Sequence, residues 1–235
     1  MKTRQECIFG ATKAVREDIA AICQSCGRDV AEVAIVGAAK TFPAADVRHI
    51  AECGVRDIGE NYVQEARGKM TECRGLPVVW HYLGRLQSNK AAQVARLFDY
   101  VHSVDSAALA AKLSAARAPL GKPLAIFVQV NIDGEVGKGG ASPKAAASLA
   151  KDIAAMPHLV VKGLMCMPNP AGSAGEAFAA LRRLRDSIND MLKLQMDGLS
   201  MGMSGDYKQA IAEGATHLRL GTALFGARPT KAAAG

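Results

Sequence analysis

The chain has 235 residues, of which 49% are hydrophobic and 22% charged, and these fractions exclude intrinsically disordered, collagen-like and coiled-coil proteins. Its 29 basic and 22 acidic residues produce a formal charge of +7, so the field around the protein favours anionic ligands. Aromatic residues make up only 5% of the chain, and no motif interleaves them with basic residues, so nucleic acid is not an expected partner.

Apolar stretches and cysteines bear on location and on metal binding. No stretch approaches about 18 uninterrupted apolar residues, and the N-terminus lacks the apolar segment of a signal peptide, so we expect a cytoplasmic protein without a membrane partner. The six cysteines are scattered, and Cys23 and Cys26 have no second cysteine or histidine pair at zinc-finger spacing. We therefore expect free thiols and no metal site.

In chain order, a helical pattern near residues 6–25 precedes an alternation of short β-branched runs with longer amphipathic helical patterns. The predicted strands are 33–39, 55–58, 78–83, 100–104, 124–131, 159–165, 199–201 and 217–220. The predicted helices between them are 44–53, 61–73, 88–98, 106–117, 143–155, 173–193 and 204–213.

This eightfold alternation predicts a single (β/α)8 TIM barrel with an extra N-terminal helix, and a doubly wound open sheet is the alternative topology. No linker or change in composition divides the chain, so we expect one domain over residues 1–235. Within it, residues 1–28 carry the N-terminal helix and residues 229–235 form a frayed tail.

Lys40 follows the first predicted strand, at the end of a barrel where reactive groups collect. Strand alternation puts it on the same face as Ala38, and small apolar neighbours desolvate it. Desolvation favours the neutral, nucleophilic form of a lysine amine, which suits Schiff-base chemistry. From position alone, a solvated loop lysine is an equal alternative. Polar residues in other strands, His81, His102 and His217 among them, are expected at the same end of the barrel.

Two glycine-rich segments after the seventh and eighth strands favour an anion. The first contains Ser200 and Ser204, and the second contains Gly221 and Thr222. Glycines let backbone N–H groups approach a phosphate, and the hydroxyls add donors, at the loops where TIM barrels usually hold phosphate. Arg219 alternates with leucines and is expected to point into the barrel mouth, towards an anion or a ring nitrogen.

From residue 33 to about residue 228 the chain resembles the pyridoxal phosphate homeostasis protein family, which is related to the barrel domain of alanine racemase. The matching motifs are Ala39-Lys40-Thr41, Gly59-Glu60-Asn61-Tyr62, His81-Tyr82-Leu83-Gly84-Arg85-Leu86-Gln87-Ser88-Asn89-Lys90, His102-Ser103-Val104-Asp105, Val130-Asn131-Ile132, Gly163-Leu164-Met165, Ser200-Met201-Gly202-Met203-Ser204 and Arg219-Leu220-Gly221-Thr222.

The resemblance implies an alanine racemase N-terminal type of barrel that carries pyridoxal 5′-phosphate as a Schiff base on Lys40. It further implies that Ser200, Gly221 and Thr222 hold the phosphate, that Arg219 faces the pyridine nitrogen and that Asn61 lies near the polar edge of the cofactor. Ser204 completes the expected cofactor-binding set.

Two segments depart from the family pattern: Gly139 stands where a serine is usual, and Cys166-Met167 replaces Ala-Ile. Lys138, in the first of these, is either a secondary cofactor-handling lysine or a solvated loop lysine, and we favour the solvated one.

The resemblance favours a carrier over an enzyme. Related racemases take a second base and a dimer contact from an additional domain, whereas only 16 residues follow Arg219 here. We therefore expect no catalytic residues, and a monomer that buffers pyridoxal phosphate and supplies it to apo-enzymes. The alternative is a pyridoxal phosphate-dependent amino-acid racemase or lyase.

Overall fold

The computed structural model describes residues 2–227, so the predicted tail at 229–235 lies outside the described residues. The strands are β1 (Ala34–Ala38), β2 (Asp57–Glu60), β3 (Val79–Tyr82), β4 (Tyr100–Val104), β5 (Leu124–Gln129), β6 (Leu159–Met165), β7 (Gly198–Ser200) and β8 (His217–Leu220). The helices are α1 (Arg4–Ser25), α2 (Ala44–Glu52), α3 (Val63–Glu72), α4 (Ala91–Leu97), α5 (Ala107–Arg117), α6 (Pro143–Ala154), α7 (Ala174–Leu192), α8 (Tyr207–Ala212) and α9 (Thr222–Phe225). Short 3₁₀ helices span Val30–Glu32, Ser88–Lys90 and Ala118–Leu120.

The eight strands form one closed parallel barrel in the order in which they occur along the chain. The closing pair is β1 with β8, where Ala34 pairs with His217 and Gly37 with Leu220. Parallel neighbours require a crossover between consecutive strands, and the helices supply it. The predicted TIM barrel is therefore confirmed, and the open-sheet alternative is wrong because β1 and β8 are hydrogen-bonded to each other.

Helix α1 lies outside the barrel and packs on α2, α8 and α9. A capping box begins it, since the Thr3 hydroxyl accepts from the Glu6 backbone and the Glu6 carboxylate accepts from the Thr3 backbone. Its buried residues recur every three or four positions, as one helix face requires. They are Ile8, Thr12, Val15, Ile19 and Cys23.

Rings fill the barrel interior where branched aliphatic residues are usual. The cluster comprises His81, Tyr100, His102, Phe127 and His217, which come from β3, β4, β5 and β8. The ring centroids of His81 and His217 lie 6.2 Å apart although their strands are not neighbours, so the cluster lies inside the barrel.

Some element bounds differ from the prediction. β2 begins at Asp57 and includes Gly59 and Glu60, because pairing with β1 and β3 extends it through residues of low strand propensity. β5 ends at Gln129, since Val130 makes only an isolated bridge to Ala141 before the following loop. Helix α8 begins at residue 207 instead of 204, after a turn that contains Ser204.

The described residues provide neither a membrane-spanning helix nor a cluster of metal ligands. Over residues 2–227, no helix combines the length and the apolar character that crossing a bilayer requires. In the same part of the chain, no group of three histidine, cysteine or acidic side chains could hold a metal ion. All six cysteines are free thiols, with Cys23 buried and Cys26 exposed.

Candidate cofactor site

A cavity of about 280 Å³ opens where the strands end, near the roughly 300 Å³ lower limit of typical small-molecule sites. Its residues come from the segments after β1, β2, β3, β6, β7 and β8 and from the strands β1 and β8 themselves. The lining residues are Ala38, Lys40, Phe42, Asn61, Leu83, Met167, Met203, Ser204, Gly205, Arg219, Gly221 and Thr222.

Six of the seven predicted site residues line this one cavity: Lys40, Asn61, Ser204, Arg219, Gly221 and Thr222. The structure does not bring Ser200 to it. The Ser200 side chain is fully buried at the end of β7, and its hydroxyl lies 2.7 Å from Arg219 Nη1 and 2.7 Å from His102 Nδ1. Lys138 also lies apart, paired with the Glu135 carboxylate in the loop after β5.

Lys40 lies two residues beyond β1, in a tight turn with a half-buried side chain. The next residue, Thr41, has a φ of 69°, which is unusual for a β-branched residue. Such strain persists where the surroundings hold it in place. Here the Thr41 N–H donates to Glu65 Oε2 at 3.1 Å, and the Phe42 N–H donates to the Ala39 carbonyl at 3.0 Å.

A buried ion pair holds the same turn from below. Lys69 Nζ donates to Glu60 Oε1 at 2.6 Å and to the Ala39 carbonyl at 2.6 Å. Both side chains are buried, and burial raises the pKa of Glu60 even though the Lys69 ammonium opposes that rise. Lys69 therefore ties β2 and α3 to the backbone immediately before Lys40.

A hydroxyl contact joins the loop after β7 to the segment after β8, and two glycines shape the first of these. The Ser204 hydroxyl accepts from the Ala223 N–H at 3.1 Å, which ties the first loop to α9. Gly202 has a φ of 90°, and a Cβ there would lie 2.6 Å from the Ala210 Cβ, so only glycine fits. A Cβ at Gly205 would meet nothing within 4 Å, so the cavity is open beside that backbone.

Arg219 forms the floor of the cavity as a buried cation. Nη2 donates to the Cys166 carbonyl at 2.9 Å, and Nη1 donates to the Ser200 hydroxyl at 2.7 Å. Burial lowers the pKa of the guanidinium, and Asp206 opposes that shift, but an arginine remains charged in proteins. The same charge limits a further shift at Cys166, whose pKa burial raises to about 12.

The expected place of the three histidines was wrong. His81 and His102 are fully buried within the barrel, and His217 is the first residue of β8, at the opposite end from the cavity. Sequence reasoning also missed the apolar walls that Phe42, Leu83 and Met167 contribute. Phe42 and Met167 follow predicted strands, and Leu83 is the last residue of the predicted strand 78–83. Single apolar residues at strand ends and in loops carry no periodic signal of a cavity wall.

Known proteins resemble this chain over most of its length. The family model described as alanine racemase, N-terminal domain, matches residues 11–229. A protein of Pseudomonas aeruginosa named pyridoxal phosphate homeostasis protein is 45% identical over 228 residues, which cover 97% of this chain and 97% of that one. The Escherichia coli K12 protein of the same name is 37% identical over 219 residues, 91% of this chain and 94% of the relative.

A solved structure shares both the fold and much of the sequence. PipY of Synechococcus elongatus, solved with PLP bound, has a TM-score of 0.77 and 36% identity, and the match covers 83% of this chain and 93% of PipY. The chain therefore belongs to the alanine racemase N-terminal domain family, among relatives named pyridoxal phosphate homeostasis proteins.

Proposed function

We propose that this chain binds pyridoxal phosphate in the cavity at the strand ends, with Lys40 as the covalent attachment point, and that it acts as a carrier without substrate turnover. The observation that carries the proposal is that one cavity contains Lys40, Arg219 and two hydroxyls. The hydroxyls are those of Ser204 and Thr222, in the segments that follow β7 and β8. The relatives' name and the PLP in PipY support the same ligand.

The cavity residues fit the group in shape and in charge. Pyridoxal phosphate supplies an aldehyde that a lysine amine takes up as a Schiff base, together with an aromatic ring and an anionic phosphate. Leu83 and Met167 provide apolar surface for a flat ring, and the open space beside Gly205 leaves backbone accessible to an anion.

Each polar residue has a distinct part in binding. Ser204 and Thr222 offer hydroxyl donors to the phosphate, and Gly221 keeps side-chain bulk away from it. Arg219, held by two hydrogen bonds, would present positive charge to the ring and disfavour protonation of its nitrogen. Asn61 approaches the ring from the loop after β2. Ser200 keeps no direct phosphate role in this proposal, because its hydroxyl is buried beneath Arg219.

The cavity chemistry supports a carrier over a racemase or lyase. Moving protons on an amino acid needs placed acid and base groups. Among the described residues that line the cavity, Lys40 and Arg219 are the titratable ones. An arginine is a poor base at neutral pH, so the described cavity supplies attachment and charge but not a pair of proton-transfer groups.

The test locates the attachment site and measures how its removal changes the affinity for pyridoxal phosphate. Borohydride reduction of the loaded protein, followed by peptide mapping, should locate a pyridoxyl group on Lys40. Lys40→Ala should lose the absorption band of the Schiff base and keep weaker, phosphate-anchored binding. Lys138→Ala is the matched control, because Lys138 lies in a loop outside the cavity, and it should keep the band.

Two results would overturn parts of this proposal. A pyridoxyl group mapped to Lys138, or an unchanged band in Lys40→Ala, contradicts the attachment site. Steady-state racemisation or elimination of an amino acid that disappears in Lys40→Ala contradicts the carrier and supports the enzyme.

The proposal includes three expectations from the sequence: a cytoplasmic location, a monomer, and apo-enzymes as the recipients of cofactor. Light scattering measures the molar mass in solution and so tests whether the protein is a monomer. Reactivation of a pyridoxal phosphate-dependent apo-enzyme by the loaded protein, compared with an equal amount of free cofactor, tests delivery.

A further inference from the structure

A continuous row of hydrogen bonds crosses the barrel interior beneath the cavity. Arg219 Nη1 lies 2.7 Å from Ser200 Oγ, and that oxygen lies 2.7 Å from His102 Nδ1. His102 Nε2 lies 2.9 Å from His81 Nδ1, and His81 Nε2 lies 2.9 Å from Asp57 Oδ1. We call these five residues the histidine chain.

The histidine chain connects the two ends of the barrel. Its three middle members are fully buried, whereas Asp57 is the first residue of β2 and its side chain is 29% exposed. Arg219, at the other end, lines the cavity. A buried polar row costs desolvation free energy that branched aliphatic residues would avoid. Because this row ends on Arg219, the cation that lines the cavity, we expect its role to concern the cavity.

Elementary donor and acceptor rules assign the protons along this row. A guanidinium only donates, and an ionised carboxylate only accepts. With both imidazoles neutral, Ser200 must accept from Arg219 and donate to His102 Nδ1.

The remaining two bonds continue in the same direction, since His102 donates from Nε2 to His81, and His81 donates from Nε2 to Asp57. Every polar side-chain atom of Ser200, His102 and His81 then has a partner, and all four bonds point from the cation to the anion.

The surroundings favour a neutral imidazole at His102. Burial lowers the pKa of His102 well below its ordinary value, and the nearby Arg219 charge lowers it further. A neutral His102 can accept from Ser200 at Nδ1, whereas a protonated one could only donate there.

We propose that the row from Asp57 to Ser200 positions Arg219 against the bound ring. This role deepens the proposed function and rests on it. Ser200 fixes Nη1 directly, and the two histidines act through Ser200 by keeping its hydroxyl proton directed away from the guanidinium. Asp57 is the remote acceptor that selects the direction of all four bonds.

The first test uses the protein without cofactor and reads the tautomers directly. Nitrogen NMR spectra of the wild-type chain at neutral pH should show both His81 and His102 as neutral Nε2–H tautomers, with assignments taken from His81→Gln and His102→Gln. An Nδ1–H tautomer or a cationic ring at either position overturns the proposed row. The tautomers are read in the wild-type protein, and the two variants serve only to assign its signals.

The second test measures the cofactor. Ser200→Ala leaves Arg219 Nη1 without its hydroxyl acceptor, so the affinity for pyridoxal phosphate should fall about 10- to 100-fold, as expected for a lost hydrogen bond to a charged group. The absorption band of the bound cofactor should also shift, because charge near the ring nitrogen tunes its electronics. Ser200→Thr retains the hydroxyl and should restore both properties.

Asp57 provides a second variant pair far from the cavity. Asp57→Leu should shift the same band, and Asp57→Asn, which keeps an acceptor oxygen for His81, should remain close to wild type. His217→Gln is the matched control, since His217 lies in the same ring cluster but hydrogen-bonds Thr216. It should leave affinity and band unchanged.

The outcomes separate this inference from the proposed function. If Ser200→Ala keeps the wild-type affinity and band, or if His217→Gln changes them equally, the positioning role is wrong while the site stands. If the wild-type protein takes up no pyridoxal phosphate, the proposed function fails, and with it the role at the ring, although the NMR tautomers still report whether the row exists.

Discussion

At the scale of single residues, Lys69 stabilises the turn that contains Lys40 although it does not line the cavity. Its ammonium contacts Glu60, the Ala39 carbonyl and, at 3.7 Å, Glu65 Oε2. Glu65 in turn accepts from the Thr41 backbone, so both sides of Lys40 depend on one buried cation. The second Glu60 oxygen is buried without a hydrogen-bond partner, which makes the pair with Lys69 more important.

Replacing this cation should therefore destabilise the protein strongly. Lys69→Met leaves the Glu60 carboxylate buried and unpaired, which should lower the free energy of unfolding by about 3–5 kcal/mol at neutral pH. Because burial raises the pKa of Glu60, the deficit should shrink as the pH falls and the carboxyl takes up a proton. Urea unfolding at several pH values measures both effects.

Matched variants distinguish the buried pair from a general charge effect. Lys69→Met combined with Glu60→Gln should recover part of the loss, because no buried charge remains. Lys13→Met removes a lysine whose ion pair with Glu17 is exposed, and it should change stability by less than about 0.5 kcal/mol. An equal loss in Lys13→Met would contradict this account of Lys69.

At the scale of elements, Arg117 joins the end of α5 to α4 and β5. The side chain is 1% exposed, and Nη1 donates to the carbonyls of Ala95 and Phe98 at the end of α4. Nε and Nη2 donate to the carbonyls of Lys122 and Pro123 just before β5. One guanidinium thus satisfies four carbonyls that a helix end and a connecting segment leave open.

Loss of this guanidinium should loosen two elements together. Arg117→Met keeps the bulk but leaves four carbonyls without their donor, so unfolding should become easier by about 3 kcal/mol or more. Hydrogen exchange should increase in α4 and at the start of β5. Arg96→Met, on the exposed face of α4, is the control and should alter neither measurement. Unchanged exchange in Arg117→Met would show that apolar packing alone holds these elements.

At the scale of the whole molecule, histidines inside the barrel make stability depend on acid. Burial is the largest cause that lowers the pKa of His217, to about 4, and it lowers the pKa of His102 in the same direction. An unfolded histidine takes up its proton near a pKa of about 6.5. Between these values the unfolded chain binds more protons than the folded one, so lowering the pH favours unfolding.

This linkage predicts a measurable loss of stability at acid pH. The wild-type free energy of unfolding should fall as the pH drops below about 6.5, and the His217 contribution should amount to about 3 kcal/mol by pH 4. His217→Gln should lose that part of the slope and keep the part due to His102. Urea unfolding across this pH range, with both proteins measured side by side, tests the prediction. Parallel slopes in the two proteins would contradict it.

Much of the fold and of the candidate site could be predicted from local patterns. Alternating strand and helix periodicity predicted eight strands and favoured the barrel over an open sheet, and the pairing of β1 with β8 decided between them. Contiguous glycine and hydroxyl motifs after the last two strands indicated two of the loops that line the cavity. Lys40 and Arg219 were both predicted at the mouth because strand ends collect there. These features are local, since a few neighbouring residues carry each of them.

Contacts across the barrel depended on the tertiary structure alone. Ser200 was expected at a phosphate, but strand register placed it under Arg219 and next to His102, a residue almost a hundred positions earlier in the chain. The Lys69 contact with the Ala39 carbonyl is of the same kind. Side chains inside a closed barrel meet according to strand tilt and stagger, and no local periodicity reports either. The sequence by itself therefore determined the segments that supply the polar cavity residues, and the tertiary structure decided which apolar walls complete the cavity and which buried groups support it.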